Sequence, residues 1–313
     1  AARIVWVRDD RAHGASALAR EAADILRARA LAGLTPDADA RAALQELHRT
    51  ARELAASRPS MVALANTVGR VWTAAQETIE SLNSEQLSSA ARSALEATRQ
   101  TAETLLSDWA TSSQQITEQV RPSLHGTILT HSLSGTVQTV LLACRSQLEH
   151  VYVTEGRPRC EGRITAQALA AAGIPVTLLT DAEAGLFISE CTAVVIGADS
   201  VLADGSVVNK TGSFLLALAA RASRPHRVPF LALAETLKIA SNIRPHLEEM
   251  DPAEVLPPDL PGVSARNIYF DRTPAALVSA IITERGLLSR AQVRIHAEQA
   301  RRWARQLERP TEL

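Results

Sequence analysis

The sequence predicts an α/β protein: an N-terminal helical domain followed by a doubly wound, mostly parallel sheet. Residues 1–121 are rich in Ala, Leu, Glu, Arg and Gln, with apolar residues at helical spacing. At Arg121-Pro122 the pattern changes to short Val- and Ile-rich runs alternating with helical stretches. Gly, Pro or Asp punctuates the ends of those runs, which is the grammar of strand, crossover helix, strand. Residues 1–121 therefore read as the helical domain and 122–313 as the α/β domain that carries most of the site.

In chain order, the helical half offers Gly14–Leu31, Ala38–Ser57, Ser60–Gln76 and Ser84–Thr117, with Pro36 and Pro59 at the breaks and Asp37 and Ser60 placed as N-caps. The second half offers strands at Thr127–Thr130, His150–Thr154, Val176–Thr180, Ala193–Gly197, Phe230–Ala234 and Asn267–Phe270. Helices are expected between them at Gly135–Gln147, Thr165–Ala172, Ala182–Cys191, Ser213–Ser223 and Pro274–Glu284. Asp204-Gly205 is a hairpin signal.

Composition narrows the function. Of 313 residues 46% are hydrophobic and 21% charged, which argues for a folded chain with a substantial core. The net charge of −1 gives no bulk reason to bind nucleic acid. All but two of the 33 basic residues are arginine, so the two lysines, Lys210 and Lys238, stand out. Cys144, Cys160 and Cys191 show no CxxC spacing, so neither a disulfide scaffold nor a structural metal site is expected, and Cys144 and Cys191 read as inert buried thiols. Pro122–Cys144 lacks charge but is interrupted by Thr, Ser, His and Gln, so it reads as a buried strand and helix start rather than a membrane span. The N-terminus lacks a basic region followed by an apolar core, so no signal peptide is expected, and the missing initiator Met leaves room for an upstream segment. A cytoplasmic setting is the expectation.

In doubly wound sheets ligands sit outside the carboxyl ends of the strands. Those ends carry Thr130-His131-Ser132, Thr154-Glu155-Gly156-Arg157, Asp181, Gly197-Ala198-Asp199 and Glu235-Thr236-Leu237-Lys238, with Asn209-Lys210-Thr211-Gly212-Ser213 before a helix. Neither GxGxxG nor GxxxxGK[ST] is present, so no nucleotide cofactor is expected. Lys210 beside free N–H groups at a helix start would form an anion site. With Arg157, a lone acid at Asp199 and several hydroxyl and amide groups, the set suits a phosphorylated sugar better than an apolar ligand. Asp199 also fits a turn former, and His131 fits either a ligand contact or a hydrogen-bonded core position.

These motifs resemble one family. They are Thr154-Glu155-Gly156-Arg157-Pro158-Arg159-Cys160-Glu161-Gly162-Arg163, Gly173-Ile174-Pro175-Val176-Thr177, Gly197-Ala198-Asp199-Ser200, Asn209-Lys210-Thr211-Gly212, Ala234-Glu235-Thr236-Leu237-Lys238 and Phe270-Asp271-Arg272-Thr273-Pro274. Fainter matches lie at Arg11-Ala12-His13-Gly14-Ala15 and Arg58-Pro59-Ser60. The family joins the α/β/δ regulatory subunits of translation initiation factor 2B to isomerases of ribose 1,5-bisphosphate and methylthioribose 1-phosphate. The Glu-Thr-x-Lys ending looks nearest to the ribose-bisphosphate branch.

The resemblance implies a Rossmann-like second domain without a cofactor, a homodimer built through that domain, and an aldose–ketose isomerase that opens a phosphorylated sugar. Asp199 matches the family's aspartate acting at C1 and C2 of the sugar, and Ser132 stands where the family's cysteine stands. Arg11, Gly14, Ala15, Arg157 and Lys210 would hold phosphate, with Arg58, His131, Glu161, Asn209 and Lys238 as further substrate contacts. Glu161 replaces a Gln beside the substrate phosphate, and Gly156 replaces a Thr. A serine hydroxyl lacks the tunable acidity of a thiol, and a carboxylate repels phosphate unless a cation pairs with it. The alternative reading is therefore a sugar-phosphate- or nucleotide-binding regulatory protein without turnover.

Overall fold

The computed structural model describes residues 2–10, 14–81, 87–245, 247–256 and 260–310, the side chains of 87 and 88 excepted. Two compact units emerge, and each draws on separated stretches of chain. One comprises Ala1–Thr111, Leu237–Ser241 and Ile295–Leu313; the other comprises Ser112–Thr236 and Asn242–Arg294. A single cut at 121/122 thus misses two returns of the chain to the helical unit, one of which carries Lys238.

The helical unit contains α1 (Ala2–Asp9), α2 (Ala15–Gly33), α3 (Ala40–Ser57), α4 (Val62–Ser81) and the start of α5 (Leu87–Val120). Leu18, Leu26, Leu44, Leu47, Leu54, Leu64 and Trp72 are fully buried in its core. Each such leucine contributes about 2 kcal/mol of transfer free energy. Asp39, not Asp37, caps α3, accepting from the Arg41 and Ala42 amides at 3.0 and 3.2 Å. A turn closed by the Ala38 amide on the Thr35 carbonyl carries Asp37 and delays the helix. A turn from Arg58 to Met61 likewise leaves Ser60 ahead of α4, which starts at Val62.

The final helix, α10 (Arg290–Glu308), has no counterpart among the sequence expectations. Its later turns belong to the helical unit. His48 stacks on Trp72 at 4.1 Å, and its Nε2 donates to the Leu307 carbonyl, while Trp72 Nε1 donates to that of Gln306. Gly69 permits this packing, because a Cβ there would lie 2.9 Å from Trp303 Cβ. Leu237–Ser241 is held in the same unit by Asn66, whose Nδ2 donates to the carbonyls of Leu237 and Ile239 at 2.8 Å.

The second unit contains β1 (Gly126–His131), α6 (Gly135–Ala143), β2 (Leu148–Thr154), α7 (Gly162–Ala171), β3 (Val176–Leu179), α8 (Ala184–Phe187) and β4 (Ala193–Gly197). There follow β5 (Ser200–Val201), β6 (Val207–Lys210), α9 (Ser213–Ala222), β7 (Phe230–Leu233), β8 (Phe270–Thr273), β9 (Ala280–Thr283) and β10 (Gly286–Leu287). The main sheet runs β10-β9-β7-β4-β1-β2-β3, parallel except for the β9/β10 hairpin. β4 is buried along its whole length, as expected of a central strand covered on both faces. The order of the strands reverses at β1, which has β2 on one side and β4 on the other.

Two expectations are corrected. Pro274–Glu284 is not helical: Ala280–Thr283 forms β9, pairing with β7 through Leu231↔Ala280. The β-branched, buried Ile281-Ile282-Thr283 run fills a sheet position that helical periodicity concealed. The strand expected at Asn267–Phe270 begins instead at Phe270 and belongs to a small antiparallel sheet, β5-β6-β8.

Candidate active site

Strand order reverses at β1, and in doubly wound sheets such a reversal, here between the carboxyl ends of β1 and β4, is where ligands bind. With Thr130 paired to Val195, Ser132 lies just past the end of one strand and Asp199 just past the other. The two residues read from the sequence as catalytic therefore emerge from neighbouring strands at the switch point.

Ser132 is buried and adopts a left-handed backbone conformation, φ 59°. Its amide donates to the Thr154 carbonyl at 3.2 Å, and its own carbonyl accepts from Thr165 Oγ1 at 2.9 Å. Two bonded neighbours, Thr154 in β2 and Thr165 in α7, thus fix the bend that turns the side chain. Gly156 answers it from the β2–α7 loop. At φ 72°, a Cβ on Gly156 would fall 2.5 Å from Ser132 Oγ, so only glycine lets the hydroxyl stand where it does. Asp199 is half-buried, and its amide donates to the Val208 carbonyl at 2.9 Å, fixing it at the root of the β5–β6 hairpin. Asn209 Nδ2 donates to Ser213 Oγ, which donates to the Lys210 carbonyl, so Asn209 is held against the start of α9.

His131 settles into the core position. Thr154 Oγ1 approaches its Nδ1 at 2.5 Å, and its Nε2 lies 3.0 Å from the Thr211 carbonyl. A carbonyl only accepts, so Nε2 carries the proton and Nδ1 accepts from the threonine hydroxyl. Burial pushes the histidine pKa down, against the opposing pull of Asp181 at 3.8 Å. Both ring nitrogens are hydrogen-bonded within the fold.

The anion site expected at the start of α9 is already occupied by the chain itself. Asp271 accepts from the Gly212 amide at 2.7 Å and from the Phe214 amide at 3.1 Å. Its burial raises its pKa, with those amide bonds opposing. Asp181 similarly takes the Gly156 and Arg157 amides at 2.8 and 2.7 Å. Lys210 Nζ lies 3.1 Å from Glu161 Oε1 and 4.2 Å above the Tyr269 ring. Glu161 is thus matched by a cation on one oxygen, while its Oε2 is buried and has no hydrogen-bond partner among the described residues. Arg157, the remaining α/β residue expected at phosphate, is exposed.

The other expected contacts belong to the helical unit. Gly14 precedes α2, where among the described residues no side-chain cap is formed at Gly14 and no acidic residue enters the first turn; Ala15 is its first, buried residue. Arg58 is buried and donates from Nη1 to the Asp10 carbonyl at 2.6 Å. Lys238 is buried too, in the segment anchored by Asn66. Arg11 lies outside the described residues. Burial raises the thiol pKa of both Cys144 and Cys191, the latter to about 12, consistent with inert core thiols. Among the described residues no cluster of His, Cys, Asp and Glu has the geometry to hold a metal ion, and no helix is long and apolar enough to cross a membrane.

Sequence reasoning missed Tyr269 and Asp271 as parts of this region. Asp271 stood in the quoted Phe270-Asp271-Arg272 motif, but only the β6–β8 pairing of Asn209 with Asp271 carries it to the start of α9.

Comparison with known proteins agrees with this architecture. Ribose 1,5-bisphosphate isomerase of Archaeoglobus fulgidus is 32% identical over 293 residues, covering 90% of this chain and 87% of that protein. Methylthioribose-1-phosphate isomerase of Nostoc punctiforme is 32% identical over 272 residues, covering 79% and 74%. The crystal structure of the Pyrococcus horikoshii translation initiation factor eIF-2B superposes with a TM-score of 0.71 at 28% identity, covering 92% of this chain and 95% of that one. The 5-methylthioribose 1-phosphate isomerase of the same organism shares the fold, with a TM-score of 0.73 at 23% identity over 96% of this chain and 86% of that one. Residues 11–290 match the model of the initiation factor 2 subunit family, and the chain belongs to that family.

Proposed function

We propose that this protein is an aldose–ketose isomerase acting on a phosphorylated sugar. The observation that carries the reading is the pairing of Ser132 and Asp199 at the switch point of the sheet, in a chain whose relatives include two sugar-phosphate isomerases. An aldose 1-phosphate opens its ring, and hydrogen then moves between C2 and C1 to give the ketose; no external oxidant or reductant is required. Asp199 assists that transfer, and Ser132 donates a hydrogen bond to the C1 or C2 oxygen. Arg157 and Lys210 hold phosphate in the α/β unit, and the uncapped start of α2 at Gly14-Ala15 is a further anion-holding element of the chain. No step calls on a cofactor.

We place the protein in the cytoplasm, as a homodimer formed through the α/β unit. Exposed Leu186 on α8 and Leu215 and Leu218 on α9 supply an apolar face there. A structure that shares this fold is the tetrameric eIF2B-beta2-delta2 complex from C. thermophilum.

The deciding experiment incubates the protein with aldose 1-phosphates and 1,5-bisphosphates and follows ketose by NMR. Ketose from at least one sugar supports the isomerase. Thermal protection by a sugar phosphate or nucleotide without ketose supports the regulatory reading, which the serine in place of a tunable thiol favours.

A further inference from the structure

β2 and β3 pair as far as Thr154 and Leu179, and the Glu155 amide continues the ladder by donating to the Leu179 carbonyl at 2.9 Å. There the backbone ladder gives way to a side chain from the end of β3. Asp181 Oδ1 accepts from the Gly156 amide at 2.8 Å, and Oδ2 accepts from the Arg157 amide at 2.7 Å. Gly156, at φ 72°, turns these two successive amides toward one anion, the arrangement of a backbone nest. A carboxylate brings an acceptor to each amide, whereas an asparagine would satisfy one and set its own N–H groups against the other. Asp181 Oδ1 also lies 3.8 Å from His131 Nδ1, so a single carboxylate meets both the β2–α7 loop and the residue that precedes Ser132. The loop held in this way is the one whose Gly156 backbone abuts the Ser132 side chain, closely enough that a Cβ there would collide with Oγ.

We infer that Asp181 is a positioning residue for Ser132, acting through the Gly156 backbone rather than on the sugar. The inference rests on the isomerase reading above and gives a role to a strand-end acid that the proposed chemistry leaves unused. A serine hydroxyl can occupy three staggered positions about its Cα–Cβ bond. With Gly156 drawn toward Asp181, backbone walls off the space on that side of the hydroxyl. Releasing either amide lets the loop recede and the hydroxyl turn away from the reacting carbons.

The test is a double-substitution series of wild type, Asp181→Asn, Ser132→Ala and the two combined, with kcat and KM read from ketose formation. Asp181→Asn should lower kcat about 10-fold and leave KM within about 2-fold, because the hydroxyl loses its position while the sugar keeps its hold. In the Ser132→Ala background the same change should lower kcat by less than about 2-fold, since no hydroxyl remains to be positioned. Equal losses in the two backgrounds would make Asp181 a general support of the fold and overturn the inference, as would full activity in Asp181→Asn. Amide exchange in the wild-type protein decides even if a variant fails to fold. The Gly156 and Arg157 amides should exchange at least about 10-fold more slowly than the amides of an exposed loop, and exchange at the exposed rate would overturn the inference while leaving the isomerase reading in place. If the wild-type protein forms no ketose from any sugar, the isomerase reading itself fails and takes the inference with it.

Discussion

Gly162→Ala tests how the site is held. Gly162 opens α7, and a Cβ built on it would lie 2.0 Å from the Thr154 carbonyl oxygen and 3.0 Å from that of Glu155. Ordinary contact begins near 3.4 Å, so backbone must separate by about 1.4 Å, and no flexible side chain can absorb the change. The Thr154 carbonyl is also the acceptor that fixes the Ser132 amide at 3.2 Å, and the Thr154 hydroxyl is bonded to His131. Overpacking of this kind costs about 1–3 kcal/mol, and the weakened Ser132 bond adds about 1 kcal/mol. A total near 3 kcal/mol lowers the melting temperature by about 6–12 °C for a domain of this size. Displacing Ser132 by about 1 Å should cost turnover about 100-fold. Gly185→Ala is the control: nothing lies within 4 Å of its Cβ, and a helical alanine gains about 0.5–1 kcal/mol. Scanning calorimetry and the ketose assay compare the two. A Gly162→Ala protein that melts with wild type and keeps its activity refutes the packing described here.

Further outcomes follow from the same contacts. Lys210→Met leaves the Glu161 carboxylate half-buried without its cation, which should cost about 3 kcal/mol in urea unfolding; no loss would mean that the pair is not formed in solution. Burial lowers the His131 pKa below its unfolded value of about 6.5, so its contribution to stability is full above that pH and is lost as pH falls toward the folded value. Melting temperatures measured from pH 7 to pH 5 should therefore fall, and His131→Asn should flatten that fall; equal slopes would contradict the neutral tautomer assigned. Ser132→Ala should lower kcat about 10- to 100-fold with little change in KM, and an equal loss in KM alone would make the serine a ground-state contact.

The sheet was legible because its central strands announce themselves. Ala193–Gly197 and Phe230–Ala234 are short, apolar and closed by Gly or a polar residue, and the structure places β4 and β7 there to within a residue. The placement of Ser132 and Asp199 just past the ends of β1 and β4 was legible for a related reason, since the ends of such strands are where a parallel sheet gathers polar groups. What stayed hidden depends on tertiary pairing. Ala280–Thr283 is a strand because β7 offers it an edge, and nothing local distinguishes that run from a buried helix. The occupation of α9's first amides by Asp271 follows from a β6–β8 register that no spacing encodes, so an apparent anion site proved to be filled by the chain. The discontinuous helical unit was equally unreadable, because Leu237–Ser241 joins it through two carbonyls that accept from the side-chain amide of a single asparagine.

In the proposed reaction Asp199 moves hydrogen on a phosphorylated sugar. Its most direct test is the paired measurement of kcat and Kd for Asp199→Asn on the best aldose 1-phosphate. The expected result is a kcat that falls about 100- to 10,000-fold, the usual worth of a general acid–base group, with a Kd within a few-fold of wild type. An Asp199→Asn protein that turns over sugar at the wild-type rate would contradict it.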